Sequence, residues 1–380
     1  MSFNEESRAP IAVYGTTGYT GKLIAAELAK TDLDFVLAGR NQAKLEAVAA
    51  DLGIDVPLHA IPNTDSKGLR DLFGDCGAVI ACAGPFYLHG EPVLAAAAAA
   101  GTHYLDTTGE QPFIQLGLDK YGPIAAKNGS AVVPAMGFDY VPGDMIAALT
   151  ALGMGDLDTV RLAYAVKMQP TRGTMLSALD MMKGADLEWR GGGLRPAEQS
   201  ISRGKFDFGG QLGVQAMARY PAGEHVTVPR HVETKRVETM LSASSMVPGP
   251  LARVAPLIMR PASLAMRTPF KALASKVVNR LPEGAEAEAR ANSAWTIDCE
   301  AIAGDRVRRG TISGKDVYGL TAALLVKGAT LAVSGGLRGT GGLAPAQAFE
   351  AESFLADLDG FEVEWSVEPL PEETGRLTPG

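Results

Sequence analysis

A chain of 380 residues is longer than one ordinary domain and reads as two. With 46% apolar and 21% charged residues it has the composition of a globular protein and can bury a large core. A net charge of −8 excludes a general nucleic-acid binder, because phosphate contacts need a basic surface. In chain order, the first third alternates short apolar runs with helical stretches. IAVYG is followed by a helix from about Gly18 to Lys30, then FVLAGR, a helix over Ala43 to Leu52, AVIACAGP, an alanine-rich helix through Ala95 to Ala100, HYLDTTG and AVVPAMG. Strand, helix and strand in this rhythm predict right-handed crossovers and a doubly wound parallel sheet covered on both faces, an α/β fold. From about Pro142 the texture changes to alternating strand patterns in VRLAYAV, EHVTVP, WTIDCEA and FEVEWSV, separated by glycine- and proline-rich turns, which predicts a second, α+β domain. WRGGGLRPAEQS reads as an exposed loop and LPEETGRLTPG as a frayed tail.

The motif that carries chemistry is Gly15-Thr16-Thr17-Gly18-Tyr19-Thr20-Gly21, between the first strand and an amphipathic helix. A glycine-rich turn placed there lets the backbone approach a diphosphate, whose charge is met by free amides and the positive end of the helix, as in a Rossmann domain. Lys22 follows Gly21, but Leu23 stands where a phosphate-binding P-loop needs Ser or Thr, so triphosphate chemistry is excluded. The second strand ends with Gly39, Arg40 and Asn41 where a dinucleotide site selective for NAD carries an acid. A guanidinium there can grip a 2′-phosphate through two hydrogen bonds, so NADP(H) is the expected cofactor, with Asn41 assisting. Ala83-Gly84-Pro85-Phe86 closes a strand at the sheet's carboxyl edge, where ligands of open α/β sheets bind. Phe86 there suits either the nicotinamide or the core. Asp106 to Glu110 ends the next strand at the same edge, where an acid serves proton transfer or caps the following helix.

Other signals are exclusions. The three cysteines, Cys76, Cys82 and Cys299, have no paired spacing, the start of the chain lacks a secretory pattern, and a reducing cytoplasm is expected. No HExxH or CxxC occurs and the five histidines show no metal spacing, so no metal is expected. None of the nine tyrosines has a lysine four residues later, which removes the YxxxK scheme of short-chain dehydrogenases. Leu251 to Arg280 holds Arg253, Arg260, Arg267, Lys271, Lys276 and Arg280 and no acid. This basic stretch reads as a solvated face of an insertion, as a cover over an anionic or carrier-linked substrate, or as a peripheral membrane contact through Arg253, Arg260 and Arg267.

GTTGYTG at 15–21, AGR at 38–40, AGPF at 83–86, YLDTTGE at 104–110, GFDYVPGD at 137–144, RGTMLSAL at 172–179, WTIDCEA at 295–301 and GGLAPAQAF at 341–349 together resemble the saccharopine dehydrogenase-like oxidoreductases, and among them the branch of trans-acting enoyl reductases. The resemblance implies a Rossmann domain over 1–140, an α+β substrate domain over 141–335 with a basic insertion at about 246–282, and a segment over 336–380 with a helix returning to the first domain. It implies NADP(H), with Gly137 and Phe138 added to the cofactor site. Thr174 and Ser177, in a segment resembling the family, are candidates to hydrogen-bond substrate. Where the commoner pattern has serine after Gly137-Phe138-Asp139, this chain has Tyr140. Asp139, Tyr140 and Glu110 are the candidates for proton relay, with a structural role open to each. The expected activity is NADPH-dependent reduction of an enoyl or related unsaturated small molecule, lipid-like or carrier-bound. Two alternatives stay open: amino-acid imine chemistry, for which Arg161, Arg172, Arg190 and Arg195 could clamp a carboxylate, and a non-catalytic NADP-binding scaffold at a membrane surface.

Overall fold

The computed structural model describes residues 9–172, 175, 186–197, 203–246, 278, 284–356 and 358–371. Two seven-stranded sheets organise them. The first is all parallel and contains β1 (Ile11–Tyr14), β2 (Phe35–Gly39), β3 (Leu58–Ala60), β4 (Ala78–Ala81), β5 (His103–Asp106), β6 (Ala131–Val133) and β15 (Gly341–Gly342). Its order is β15-β6-β5-β4-β1-β2-β3, so the winding reverses between β1 and β4. β1, β2, β4 and β6 are buried at every position, the reason they read as continuous apolar runs instead of alternations. Helices Tyr19–Leu28, Gln42–Leu52, Ser66–Gly74 and Glu91–Ala100 supply the crossovers. The alanine run is what the sequence reading expects: the helix Glu91–Ala100 buries Ala96, Ala97 and Ala98 between sheet and neighbour.

The second sheet is mixed. It runs β10 (Arg203–Asp207), β11 (Val214–Arg219), β12 (Val237–Ser242), β7 (Thr159–Lys167), β13 (Ala294–Ala303), β14 (Arg306–Lys315) and β16 (Glu364–Val367). One face carries Leu162, Tyr164, Ile297 and Ile312 and packs on the helix Val141–Ala151. That helix joins both sheets into one core, and Phe138 packs at a tilt against Trp295 with ring centroids 5.0 Å apart. The helix Val317–Val333 then returns to the first sheet against Tyr19–Leu28, and β15 extends that sheet beside β6.

Two local readings change. EHVTVP is a helical turn, Glu224–Thr227 followed by a 3₁₀ turn at Val228–Arg230. Short apolar alternation is ambiguous, and here Glu224, His225, Val226 and Thr227 are all buried, so no exposed face gives the period away. WRGGGLRP is a hairpin, β8 (Leu187–Trp189) and β9 (Leu194–Pro196), turning at Gly191 and Gly192, both at positive φ. The tail beyond residue 371 and the basic stretch, Val278 apart, lie outside the described residues, as do Thr174 and Ser177.

Candidate active site

Three glycines of the turn after β1 have different reasons. Gly15 has φ 93°, and a Cβ on it would lie 2.7 Å from the amide nitrogen of Ala83. A Cβ on Gly21 would lie 2.6 Å from the carbonyl oxygen of Gly15. Protein packing therefore demands both. Gly18 is exposed, caps the helix Tyr19–Leu28 with no side chain, and a Cβ there would meet only the Gly15 oxygen at 3.5 Å. Protein packing therefore does not demand a glycine at 18, and the open space beside the first-turn amides is compatible with an approaching diphosphate. Thr16 is buried with its hydroxyl on the Val13 carbonyl at 2.7 Å. Tyr19 gives its hydroxyl to the Ala285 carbonyl at 2.6 Å, receives Arg290 at 3.4 Å, and sets its ring edge-on to Tyr318. At the end of β2, Arg40 is exposed with no ion pair among the described residues, while Asn41 Oδ1 accepts from the Lys44 amide and caps the next helix.

At the carboxyl edge, the Ala83–Phe86 segment borders this turn through the Gly15 to Ala83 contact. Glu110 orders it: its two carboxylate oxygens accept from the amides of Phe86 (2.9 Å) and Tyr87 (2.7 Å). Burial raises the Glu110 carboxyl, and these two amides oppose that. Phe86 is buried against Phe113, centroids 5.4 Å apart. Asp106 ends β5 fully buried, with Oδ1 accepting from the amides of Thr108 and Ala135, both at 2.9 Å. Burial pushes its carboxyl up to about 7. The tie to Ala135, which sits at φ 61°, fixes the start of the loop Gly137–Tyr140 that leads into the helix Val141–Ala151.

That loop meets the second sheet in a cluster of phenols and carboxyls. Thr321 pins it by accepting from the Phe138 amide at 3.1 Å. Asp139 is an exposed residue, yet the protein packed around its carboxyl desolvates it and pushes it up to about 6. Tyr140 is buried and donates to the Gly109 carbonyl at 2.8 Å. Tyr164, on β7, bonds the Asp139 carbonyl at 3.3 Å and the carboxyl of Glu224. Glu224 is fully buried, its Oε2 has no hydrogen-bond partner among the described residues, and burial raises its carboxyl well above the usual range. Tyr220 stands edge-on to Tyr164 at 6.1 Å, and burial with the nearby Asp139 charge raises its phenol. Gly143 makes room: a Cβ there would overlap the Tyr164 hydroxyl and the Glu224 carboxyl. Asp144 is an anchor, bonded to His231 Nε2 and to the Ala346 amide, both at 2.9 Å.

A glycine-rich turn with one glycine left open, at the switch point of a doubly wound sheet, makes a dinucleotide site, and residues 11–133 match the family described as Saccharopine dehydrogenase NADP binding domain. A Mycobacterium tuberculosis protein provisionally named a trans-acting enoyl reductase is 36% identical over 186 residues, 46% of this chain and 44% of its own length. A trans-acting enoyl reductase of Mycobacterium ulcerans is 36% identical over 140 residues, 36% of this chain and 34% of its own. The matched stretch thus spans less than half of these relatives. The apo saccharopine dehydrogenase (L-Glu forming) of Saccharomyces cerevisiae has the same fold, with TM-score 0.63 and 13% identity over 95% of this chain and 100% of that one. A nicotinamide dinucleotide is the cofactor that the match over residues 11–133 supports.

Beside this saccharopine dehydrogenase-like site, the remaining candidates are elsewhere engaged. Arg161 pairs with Glu238 and Glu300, both at 2.8 Å, and Arg190 with Glu188 at 3.0 Å. Arg195 bonds the Arg190 carbonyl at 3.1 Å. Burial pushes the thiols of Cys76, Cys82 and Cys299 up to about 11, 12 and 12, leaving poor nucleophiles. Among the described residues no group of His, Cys, Asp and Glu could hold a metal ion, and no helix is long and apolar enough to cross a membrane. Sequence reading missed Tyr164, Tyr220, Glu224 and Thr321. None lies in a motif, and only contact across the two sheets assembles them.

Proposed function

We propose that this protein is an NADPH-dependent reductase of α,β-unsaturated acyl groups on a lipid-like or carrier-bound substrate, with Asp139 as the proton source. The observation that carries the reading is Asp139, an exposed residue whose carboxyl is raised to about 6 by desolvation, in the segment after β6 at the carboxyl edge of the parallel sheet. The name of the mycobacterial relatives supports the substrate class. When bound, the reduced dinucleotide supplies a hydride, here for the β-carbon, and the neighbouring carbon then takes a proton. A carboxyl with its pKa near neutrality is suited to give that proton and to regain it from water. In this reading the amides at Gly18–Gly21 hold the diphosphate, Arg40 the 2′-phosphate, and Glu110 fixes the Ala83–Phe86 wall. Tyr140 and Tyr164 hold the Asp139 loop through Gly109 and the Asp139 carbonyl. Imine chemistry on an amino acid is less well supported, because Arg161, Arg190 and Arg195 are committed to other protein groups.

The test follows NADPH consumption with a panel of enoyl thioesters. Turnover of at least one is expected, with kcat falling as pH rises above about 6, because the protonated acid is the active form. Asp139→Asn is expected to lower kcat by ~10²- to 10⁴-fold, the range of general acid catalysis, with NADPH affinity unchanged. A panel with no substrate would overturn the enoyl reading. Full activity in Asp139→Asn would overturn only the role of Asp139.

A further inference from the structure

The second sheet carries its own polar trough on the face away from the helix Val141–Ala151. β10 and β16 are opposite edges of the sheet, yet Phe206 of β10 packs on Ala163 of the middle strand β7, and the Arg309 guanidinium of β14 lies 5.6 Å over the Phe206 ring. The sheet therefore curls until the turn after β10 overhangs β13, β14 and β16. Beneath it Glu238, Arg161, Glu300 and Arg309 stand directly opposite one another on β12, β7, β13 and β14 and pair in sequence. Two carboxylates meet two guanidinia there, and that row is neutral.

The next space along is not neutral. A cavity of about 240 Å³ is lined by Asp207, Phe208, Gly209, Asp298, Arg309, Thr311, Ser366 and Glu368. Arg309 already holds Glu300 through two nitrogens, at 3.0 and 2.6 Å. Asp207, Asp298 and Glu368 have no ion-pair partner among the described residues. Asp207 Oδ1 accepts from the Gly209 amide at 2.9 Å, and Glu368 Oε2 from the Arg309 amide at 3.1 Å, so each has its second oxygen uncommitted. Asp298 lies deepest: the residue is 5% exposed, burial raises its carboxyl against the opposing pull of Thr311 and Arg309, and its Oδ1 has no hydrogen-bond partner among the described residues. A buried acceptor without a donor costs free energy that a bound donor would recover.

We propose that this trough binds an organic polycation of the di- or polyamine class, with an ammonium group on Asp298. The choice over a metal ion follows from geometry, because these carboxylates line one cavity without converging as metal donors among the described residues. Spaced acceptors fit spaced ammonium groups, each of which brings three donors, and the Thr311 and Ser366 hydroxyls and the Phe208 ring complete a wall suited to an alkylammonium. The site lies outside the cofactor cleft and is independent of the proposed reaction.

Titration calorimetry of the full chain with putrescine, spermidine and magnesium chloride tests it. Saturable binding of an amine, weakened at least tenfold by Asp298→Asn and by Glu368→Gln but unchanged by Asp55→Asn at an exposed site elsewhere, is the expected result. NADPH binding reports that each variant is folded. Equal losses in Asp55→Asn, amine binding unaffected by Asp298→Asn, tighter binding of magnesium, or no binding would each overturn the proposal.

Discussion

The turn at Gly15–Gly21 draws its parts from seven consecutive residues, whereas the cluster around Asp139 gathers Tyr164 from β7, Tyr220 from the stretch after β11 and Glu224 from a buried helical turn. In the proposed reading the first works through backbone amides, so its sequence signature is the absence of side chains at fixed intervals. The second works through side chains whose meeting depends on how two sheets pack. A local device can be read from a string of residues; a device made by tertiary contact has no string to read. The contrast also predicts different failures: the turn should break by gaining atoms, the cluster by losing polar ones.

The largest effect that sharpens this comparison is expected at Gly18. Gly18→Val puts a side chain into open space on the ligand side, so it should lower NADPH affinity by about 100-fold or more while leaving the melting temperature nearly unchanged. Gly21→Ala is the counterpart, since its methyl group meets the Gly15 oxygen, and it should destabilise the fold by ~1–3 kcal/mol in denaturant unfolding. If both variants lost only stability, Gly18 would be a packing glycine like its neighbours. Arg40→Ala should weaken NADPH by ~1.5–3 kcal/mol and leave NADH nearly unaffected, as for loss of a charge-assisted hydrogen bond. Equal losses for the two coenzymes by calorimetry would remove the 2′-phosphate from Arg40.

The smallest effect concerns the cluster and has a definite sign. Folding raises the Glu224 carboxyl well above its ordinary 4.5, so the native chain keeps a proton that the unfolded chain releases. Its stabilising contribution is complete below the unfolded value and is lost as pH rises toward the folded one. Glu224→Gln removes this dependence, and its stability relative to the parent should increase from about pH 5 to about pH 8 in parallel thermal melts. A difference that stays constant across that range would mean that Glu224 is ionised in the native state.

How much was legible follows the same division. The parallel sheet and the glycine turn after its first strand were readable because βαβ periodicity and glycine spacing are local. Glu110 was noticed as an acid at the right edge, but its engagement with the Phe86 and Tyr87 amides depends on a chain crossing 24 residues away. EHVTVP misled because a short, wholly buried turn shows no polar face, and WRGGGLRP because a glycine run serves a tight hairpin as well as a loop. The charge row on β12, β7, β13 and β14 was invisible for a plainer reason: its members are up to 77 and 139 residues apart.

Tyr19 stands at the first residue of the helix that faces the coenzyme, and its ring lies where any side chain on Gly284 would have to go, with a Cβ only 2.4 Å away. If the turn holds the coenzyme as proposed, its affinity depends on a position late in the chain: a substitution at Gly284 would displace Tyr19 and with it the start of that helix, and is expected to show at the bench as a defect in coenzyme retention.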